Sequence, residues 1–245
     1  MWAELRLAWM LLTRLPAGRG EVRVMPAASV WAFPLVGLAV GAIAVLCMLA
    51  AALFLPVSTA LLLAMIAGLL VTGALHEDGL ADLADGFGGG RDREAKLAIM
   101  RDSRIGSYGV LALVMAMALR FVLLAGLEPA MLVRGWIVAA AVSRAAMVGL
   151  LWRMKPARAD GLGRSVEAPT AGRVMAAVAI AMAAALLLMG IGGLIMGIFA
   201  VFGVSFMRLW ANRQIGGYTG DVLGATQVIT ELAALAAAVA WTGGR

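Results

Sequence analysis

The chain has 245 residues, of which 63% are hydrophobic and 14% charged, and its formal net charge is +6. Soluble domains carry about 45–50% apolar and about 25% charged residues, so this composition excludes a soluble globular fold and indicates a lipid environment. Clustered basic residues are typical of membrane proteins, and we predict no nucleic-acid partner. The single cysteine, Cys47, excludes an intrachain disulfide, and the single histidine, His76, excludes a zinc site built from several histidines.

The N-terminal stretch from Met1 to Arg19 predicts a short amphipathic helix on the membrane surface. Its apolar residues recur at helical spacing: Trp2, Leu5, Trp9 and Leu12. Arg6 lies off this stripe, and Arg6 and Arg14 interrupt the uncharged run that a signal peptide needs. A frayed terminus is the alternative.

Seven apolar stretches follow, each close to the length of about 20 residues that crosses a bilayer as a helix. They are Trp31–Leu53, Thr59–Leu75, Gly109–Leu127, Leu132–Leu151, Val174–Met189, Gly193–Leu209 and Val222–Trp241. Short turns around Pro56, Pro129 and Gly192 separate some of them. We predict an all-α polytopic integral membrane protein with about seven transmembrane helices, forming a single domain over residues 1–245.

Three longer polar segments, residues 76–107, 152–173 and 210–221, alternate with these turns. Most of the 20 Lys and Arg residues lie in or beside these segments and the N-terminal stretch. Seven spans put all of them on one side, which the positive-inside rule assigns to the cytoplasm. We expect a bacterial inner-membrane protein whose N-terminus and active site face the cytoplasm and whose Arg245 lies outside.

The segment 76–107 carries an acidic row. Asp78, Asp82 and Asp85 stand at i, i+4 and i+7, a spacing that places them on one helix face, where like charges repel. No lysine or arginine occurs before Arg91 to offset them. Mg²⁺ typically binds one or two carboxylates together with substrate phosphates, so we predict that the three aspartates bind Mg²⁺ and act in catalysis. A solvated loop of mixed charge is the alternative.

Glycines and basic residues follow the acidic row. They include the candidates for substrate binding, which are Gly86, Gly89, Gly90, Arg91, Arg101 and Arg104. Glycine lets a backbone approach a ligand closely, and arginine suits bidentate phosphate contacts. Carboxylates, glycines and basic groups in this order predict phosphoryl transfer. The run is not a P-loop, because GxxxxGK[ST] is absent.

A second candidate site lies in residues 210–221. Asp221 either completes the metal site or caps the last helix. His76, at the membrane boundary, is either a proton carrier in catalysis or an interfacial hydrogen-bonding group. Three charged residues fall inside predicted spans, and we expect Arg120 or Arg144 to pair with Glu231 as a structural bridge. The acids gather at the membrane edge and not at its midplane, which favours an enzyme over a proton-coupled transporter.

Several motifs resemble the cobalamin synthase family, membrane-bound adenosylcobinamide-GDP ribazoletransferases. They span most of the chain: Leu12–Pro16, Phe33–Gly37, Gly73–Arg91, Met100–Gly106, Tyr108–Val110 and Gly217–Ala225. The resemblance implies that adenosylcobinamide-GDP reacts with α-ribazole or its 5′-phosphate to give adenosylcobalamin or its phosphate and GMP, with Mg²⁺. Further candidates for substrate contacts are Arg14, Glu77, Asp102, Tyr218 and Thr219, although Glu77 departs from the family, which often has an apolar residue there. A lipid environment and homo-oligomers are compatible with the resemblance.

Three other functions fit parts of the sequence. Asp82-Leu-Ala-Asp85-Gly86 matches the DxxDG opening of CDP-alcohol phosphotransferases, but Gly89 and Gly90 stand where that motif has an Ala-Arg pair. A divalent-cation transporter and a non-catalytic scaffold for soluble enzymes are the others. Release of CMP from a CDP-lipid would favour the phosphotransferase. Ion flux without GMP release would favour the transporter, and tolerance to loss of all three aspartates would favour the scaffold.

Overall fold

The computed structural model describes residues 1–18, 27–158 and 168–243, and the secondary structure in these ranges is helical apart from one isolated β-bridge. A short 3₁₀ helix, Ala27–Ala32, precedes the second α-helix. The α-helices in chain order are α1 Trp2–Leu12, α2 Phe33–Ala52, α3 Val57–Thr72, α4 Leu75–Gly89, α5 Arg93–Ile99, α6 Ser107–Ala125, α7 Pro129–Arg153, α8 Ala171–Met189, α9 Ile191–Ile215 and α10 Gly220–Thr242. The all-α prediction is confirmed.

Six helical stretches in the described ranges are long and apolar enough to cross a membrane, and the multi-pass prediction is confirmed. They are Ala27–Ala52, α6, α7, α8, α9 and α10. The predicted span Thr59–Leu75 corresponds to α3, which forms a bent pair with α4 at 87° and gives a seventh crossing if the pair counts as one. Part of the predicted polar segment 152–173, residues 159–167, lies outside the described residues.

The joint between α3 and α4 is built from two consecutive residues in the left-handed region. Gly73 has φ +65° and Ala74 has φ +53°. Glycine adopts this conformation at no steric cost, whereas alanine does so only when its surroundings impose it. The chain therefore turns sharply at the end of α3, and α4 runs at 87° to it.

Helix α1 confirms the predicted N-terminal helix and excludes a frayed terminus. Its Ala8 and Leu12 are buried. The Glu4 carboxylate accepts hydrogen bonds from Trp31 Nε1 (2.8 Å) and from Arg173 at the start of α8 (3.0 Å). These contacts fix α1 against the bundle, with its C-terminal end close to the start of α4.

Helices α7 and α10 are the most buried spans and form the centre of the bundle. Small residues let their neighbours approach closely, as is common between membrane helices. A Cβ atom on Gly41 of α2 would lie 2.9 Å from the Ile137 Cα of α7, and one on Gly203 of α9 would lie 2.9 Å from the Thr230 side chain of α10. Helices α2 and α9 therefore need glycine where they cross α7 and α10.

Charged side chains meet inside the bundle and include the predicted Arg120–Glu231 pair. Nε of Arg120 lies 3.2 Å from Oε1 of Glu231, at ion-pair distance. The second partner was unexpected: an Nη1 nitrogen of Arg120 donates to Oε1 of Glu77 at 3.0 Å. Arg144 hydrogen-bonds to the Ala140 carbonyl on its own helix at 2.9 Å. Arg120 thus joins α6 to α10 and to the first turn of α4.

Replacement of Arg120 by leucine should destabilise the protein strongly. The change leaves the carboxylates of Glu77 and Glu231 buried without their counter-charge, and breaking such a pair typically costs about 3–5 kcal/mol of the free energy of unfolding. Reversible unfolding in mixed micelles measures the effect. Arg208→Leu, at an exposed position of α9, is the matched control and should change stability by less than about 0.5 kcal/mol. Equal stability of both variants would contradict the structural role of Arg120.

Candidate active site

Helix α4 carries the predicted acidic row, and its residues face different neighbours. Asp78 is exposed, Asp82 is half-buried and Asp85 is buried. The row therefore consists of two accessible carboxylates one turn apart and a third that is enclosed. The expected shared face is formed by Asp78 and Asp82, while Asp85 belongs to a contact with α6.

The Asp85 carboxylate binds the N-terminus of α6. Its oxygens accept hydrogen bonds from the backbone N–H groups of Gly106 (2.7 Å) and Gly109 (2.9 Å). A carboxylate at a helix N-terminus is stabilised by the unpaired N–H groups and by the helix dipole. A Cβ atom on either glycine would collide with this carboxylate. Asp85 therefore fixes α4 to α6, and its predicted roles as a metal ligand and in catalysis stay predictions.

A direct backbone contact joins α4 to the start of α10. A Cβ atom on Gly79 would lie 2.9 Å from the Asp221 carbonyl oxygen, and one on Gly224 would lie 3.1 Å from the His76 carbonyl oxygen. Only glycine at both positions lets the two helices approach this closely. The contact brings Asp221 beside the acidic row, as the sequence analysis expected for a site built from two segments.

Asp221 is not the cap of α10, because Thr219 has that position. The Thr219 hydroxyl accepts a hydrogen bond from the Val222 N–H at 3.3 Å and donates one to Oδ2 of Asp221 at 3.1 Å. An Nη2 nitrogen of Arg158 lies 3.5 Å from the same oxygen. The sequence analysis did not select Arg158, whose partner is 63 residues away. The capping alternative for Asp221 is therefore wrong, and Arg158 joins the site.

The carboxylates influence each other electrostatically. Partial burial, and then the negative charges of Asp221, Asp78 and Asp85, raise the pKa of Asp82 to about 7, against a smaller opposing effect of Arg158. No three acidic, histidine or cysteine side chains of the described residues converge as a complete metal-binding group. This arrangement fits Mg²⁺, which needs only one or two carboxylates when substrate phosphates and water fill its other positions.

The glycine run at the end of α4 packs against its neighbours. A Cβ atom on Gly90 would lie 2.6 Å from the Lys96 backbone nitrogen, one on Gly88 would lie 2.7 Å from the Tyr108 ring, and one on Gly86 would collide with Met100. Gly89 is exposed, with Ile99 3.4 Å from such an atom. The close approach expected of these glycines is thus to α5 and Tyr108, and the predicted substrate contacts of Gly86, Gly89 and Gly90 stay untested.

The predicted basic residues lie around the end of α4 and the start of α6. Arg91, Arg101 and Arg104 are exposed. Arg104 forms an ion pair with Asp102 at 2.6 Å, and its hydrogen bonds lower the pKa of Asp102 to about 2. Asp102, expected to bind substrate, therefore orients Arg104. Arg14 lies apart from this group, with its side chain against Gly73 at the joint between α3 and α4.

The three predicted polar segments meet beside α4, as expected for segments on one side of the membrane. Arg93 of α5 donates from Nε to the Ile215 carbonyl (2.9 Å) and from Nη2 to the Ala157 carbonyl (2.6 Å). The Tyr218 N–H donates to the Lys155 carbonyl (2.9 Å), and the Ala157 N–H donates to the Tyr218 carbonyl (2.8 Å). These bonds hold Arg158 next to Asp221. Tyr218 and Thr219, both buried, form this connection.

His76 and Glu77 are buried at the first turn of α4. Glu77, grouped by the sequence analysis with the substrate-binding residues, points to Arg120 inside the bundle and away from the acidic row. His76 lines both the intramembrane cavity around Arg120 and a cleft of about 230 Å³ beside Asp78 and Asp221. Glu77 is buried and does not line the cleft beside Asp78 and Asp221, whereas His76 lies at the inner wall of that cleft.

Comparison with known proteins identifies the family. Residues 4–239 match the family model described as cobalamin-5-phosphate synthase. A relative from Bradyrhizobium diazoefficiens named adenosylcobinamide-GDP ribazoletransferase is 43% identical, over 99% of this chain and 95% of its own. Relatives of the same name from Sinorhizobium medicae (42%, over 96% and 95%) and Shewanella woodyi (45%, over 82% and 80%) agree with it. No solved structure matches the chain.

These matches cover nearly the whole chain, including α4 and the start of α10, and they bear out the resemblance and the transferase class expected from the sequence. The chain belongs to the cobalamin-5-phosphate synthase family.

Proposed function

We propose that the chain is an adenosylcobinamide-GDP ribazoletransferase of the bacterial inner membrane, with its active site on the cytoplasmic side. It joins adenosylcobinamide-GDP to α-ribazole, or to α-ribazole 5′-phosphate, and releases GMP. The observation that carries this proposal is the acidic cluster of Asp78, Asp82 and Asp221, assembled from two distant segments of the chain, with Arg158 3.5 Å from Asp221. A relative with that name is 43% identical over 99% of this chain, a range that includes both segments.

Mg²⁺ is the cofactor of this proposal. Asp78 and Asp221 line the same cleft and would hold the ion. When bound, Mg²⁺ would neutralise charge on the diphosphate of adenosylcobinamide-GDP. Asp85 has both oxygens in hydrogen bonds to α6 and is a positioning residue. We therefore assign Asp82, the remaining half-buried carboxylate of the cluster, to proton transfer as the general base.

The reaction is a displacement at the phosphorus attached to the corrinoid. A ribose hydroxyl of α-ribazole attacks this phosphorus, an oxygen–phosphorus bond forms, the pyrophosphate bond breaks and GMP leaves. The hydroxyl proton passes to the Asp82 carboxylate. The exposed Arg91, Arg101 and Arg104 follow the acidic row in the chain and would neutralise phosphate charge, and Asp102 holds Arg104 in place. His76, which is 1% exposed, is assigned no proton transfer in this step.

The first experiment measures GMP release in liposomes. Purified protein with adenosylcobinamide-GDP and α-ribazole should release GMP only when Mg²⁺ is present. Asp82→Asn should lower kcat by about 10²–10⁴-fold, the usual contribution of general base catalysis, and added Mg²⁺ should not restore it. Asp78→Asn should instead raise the Mg²⁺ concentration needed for half-maximal rate. Full turnover by both variants, or absence of GMP release by the wild type, would overturn the proposal.

A second experiment tests the contact between α4 and α10. Gly224→Ala pushes the start of α10 away from the His76 carbonyl and displaces Asp221 relative to Asp78 and Asp82. Misplacement of reacting groups by about 1 Å can cost about 10²-fold, so kcat should fall by about ten- to a hundredfold. Gly149→Ala, at a helical glycine with nothing within 4 Å of the added atom, is the matched control and should keep wild-type kcat. Equal rates in both variants would show that the contact does not position the site.

The pKa of Asp82 can be measured directly in the metal-free protein. Its raised pKa means that the side chain is protonated below about pH 7 and becomes charged as the pH rises through that value. Infrared difference spectra should show a carboxylic-acid C=O band that disappears around pH 7 and is missing in Asp82→Asn. Asp221→Asn removes one of the repelling charges and should shift the loss of the band to lower pH. A band that does not shift in this variant would contradict the coupling of the two residues.

A further inference from the structure

The cleft beside the acidic cluster has two unlike walls. It lies between the end of α1 and helices α4, α7 and α10, and its volume is about 230 Å³. Apolar side chains form most of its lining: Leu11, Leu12, Leu75, Met147 and Leu223. The carboxylates of Asp78 and Asp221 also line it. A ligand with an apolar body and a polar end suits such a cleft.

The inner wall adds a polar group. His76 is 1% exposed and lines both this cleft and the cavity around Arg120, and its Nε2 atom has no hydrogen-bond partner among the described residues. A buried polar atom without a partner is costly, so a ligand that forms one hydrogen bond there is favoured. The cleft therefore combines one buried hydrogen-bonding group with five apolar side chains and two carboxylates.

Only one part of the proposed substrates has this chemistry. The volume of 230 Å³ is below the roughly 300–1,000 Å³ of pockets for drug-sized ligands, which excludes the corrinoid. Guanine carries several donors and acceptors that would lose their water partners against leucine and methionine side chains. The base of α-ribazole is a planar, methyl-substituted benzimidazole with one free ring nitrogen, and its ribose carries hydroxyl groups.

We infer that this cleft is the acceptor subsite, in which the benzimidazole base of α-ribazole lies against Met147 and Leu223 and its ribose points to Asp78 and Asp221. The ring nitrogen then meets His76 Nε2, and the attacking hydroxyl lies beside the acidic cluster. Adenosylcobinamide-GDP, which is too large for the cleft, stays outside it, and the exposed Arg91 and Arg101 are candidate contacts for its phosphates. This inference rests on the proposed function and adds that α-ribazole is the substrate that binds in the cleft.

Truncation of the apolar wall tests the assignment. Met147→Ala should raise KM for α-ribazole about tenfold, because loss of a methylene-sized contact in a hydrophobic pocket costs about 10–200-fold, while KM for adenosylcobinamide-GDP stays within about twofold. Met207→Ala is the matched control, since Met207 is a buried methionine of the same apolar cluster that does not line the cleft. Leu11→Ala, at a half-buried position, serves as the second variant should Met147→Ala fold poorly.

Binding of 5,6-dimethylbenzimidazole to the protein in nanodiscs gives a readout that does not need turnover. The base should bind, compete with α-ribazole but not with adenosylcobinamide-GDP, and bind about tenfold more weakly to Met147→Ala than to Met207→Ala. Suppose that the protein releases GMP but the base competes with adenosylcobinamide-GDP or binds equally to both variants. That result would overturn the subsite and leave the proposed function intact. Binding of the base without any GMP release would keep the subsite and overturn the proposed function.

Discussion

The contact between the backbones of α4 and α10 at Gly79 and Gly224 is the constraint on which the rest of the site depends. It brings two segments about 140 residues apart in the chain to within van der Waals distance, and no side chain larger than hydrogen fits at either position. Because the helices touch there, Asp221 lies beside Asp78 and Asp82. A glycine at a helix crossing costs roughly 1 kcal/mol of helix stability, which the close packing of the two helices offsets.

Helix α4 is held in three directions, and each direction uses a different kind of interaction. Glu77 is paired with Arg120 inside the bundle, Asp85 binds the N-terminus of α6, and Gly79 lies against α10. Glu77 and Gly79 hold the helix near its start, and Asp85 holds it nearer its end. Asp78 and Asp82 lie along the helix between these contacts, so the accessible carboxylates are held by a rigid frame.

Hydropathy predicted the spans well, because a bilayer imposes a minimum length of apolar helix that the sequence displays directly. The spacing of Asp78 and Asp82 likewise predicted a shared face. The place of Asp85 was not predictable from spacing, because it depends on where the start of α6 lies. Arg158 was missed because its contact with Asp221 arises only after two loops fold together. Glu77 carries the same charge as the aspartates of the row but points in a different direction from α4, toward Arg120.

The right-angled joint at Gly73 and Ala74 has a consequence for the response of the enzyme to its membrane. Helix α3 has 16 residues and is about 24 Å long, shorter than the roughly 30 Å hydrocarbon core, so hydrophobic mismatch acts on it. A helix shorter than the hydrocarbon core is matched by local thinning of the bilayer around it. Because α4 leaves α3 at 87° and packs against α6 and α10, such thinning would act on α3 and would leave the carboxylates of α4 in place.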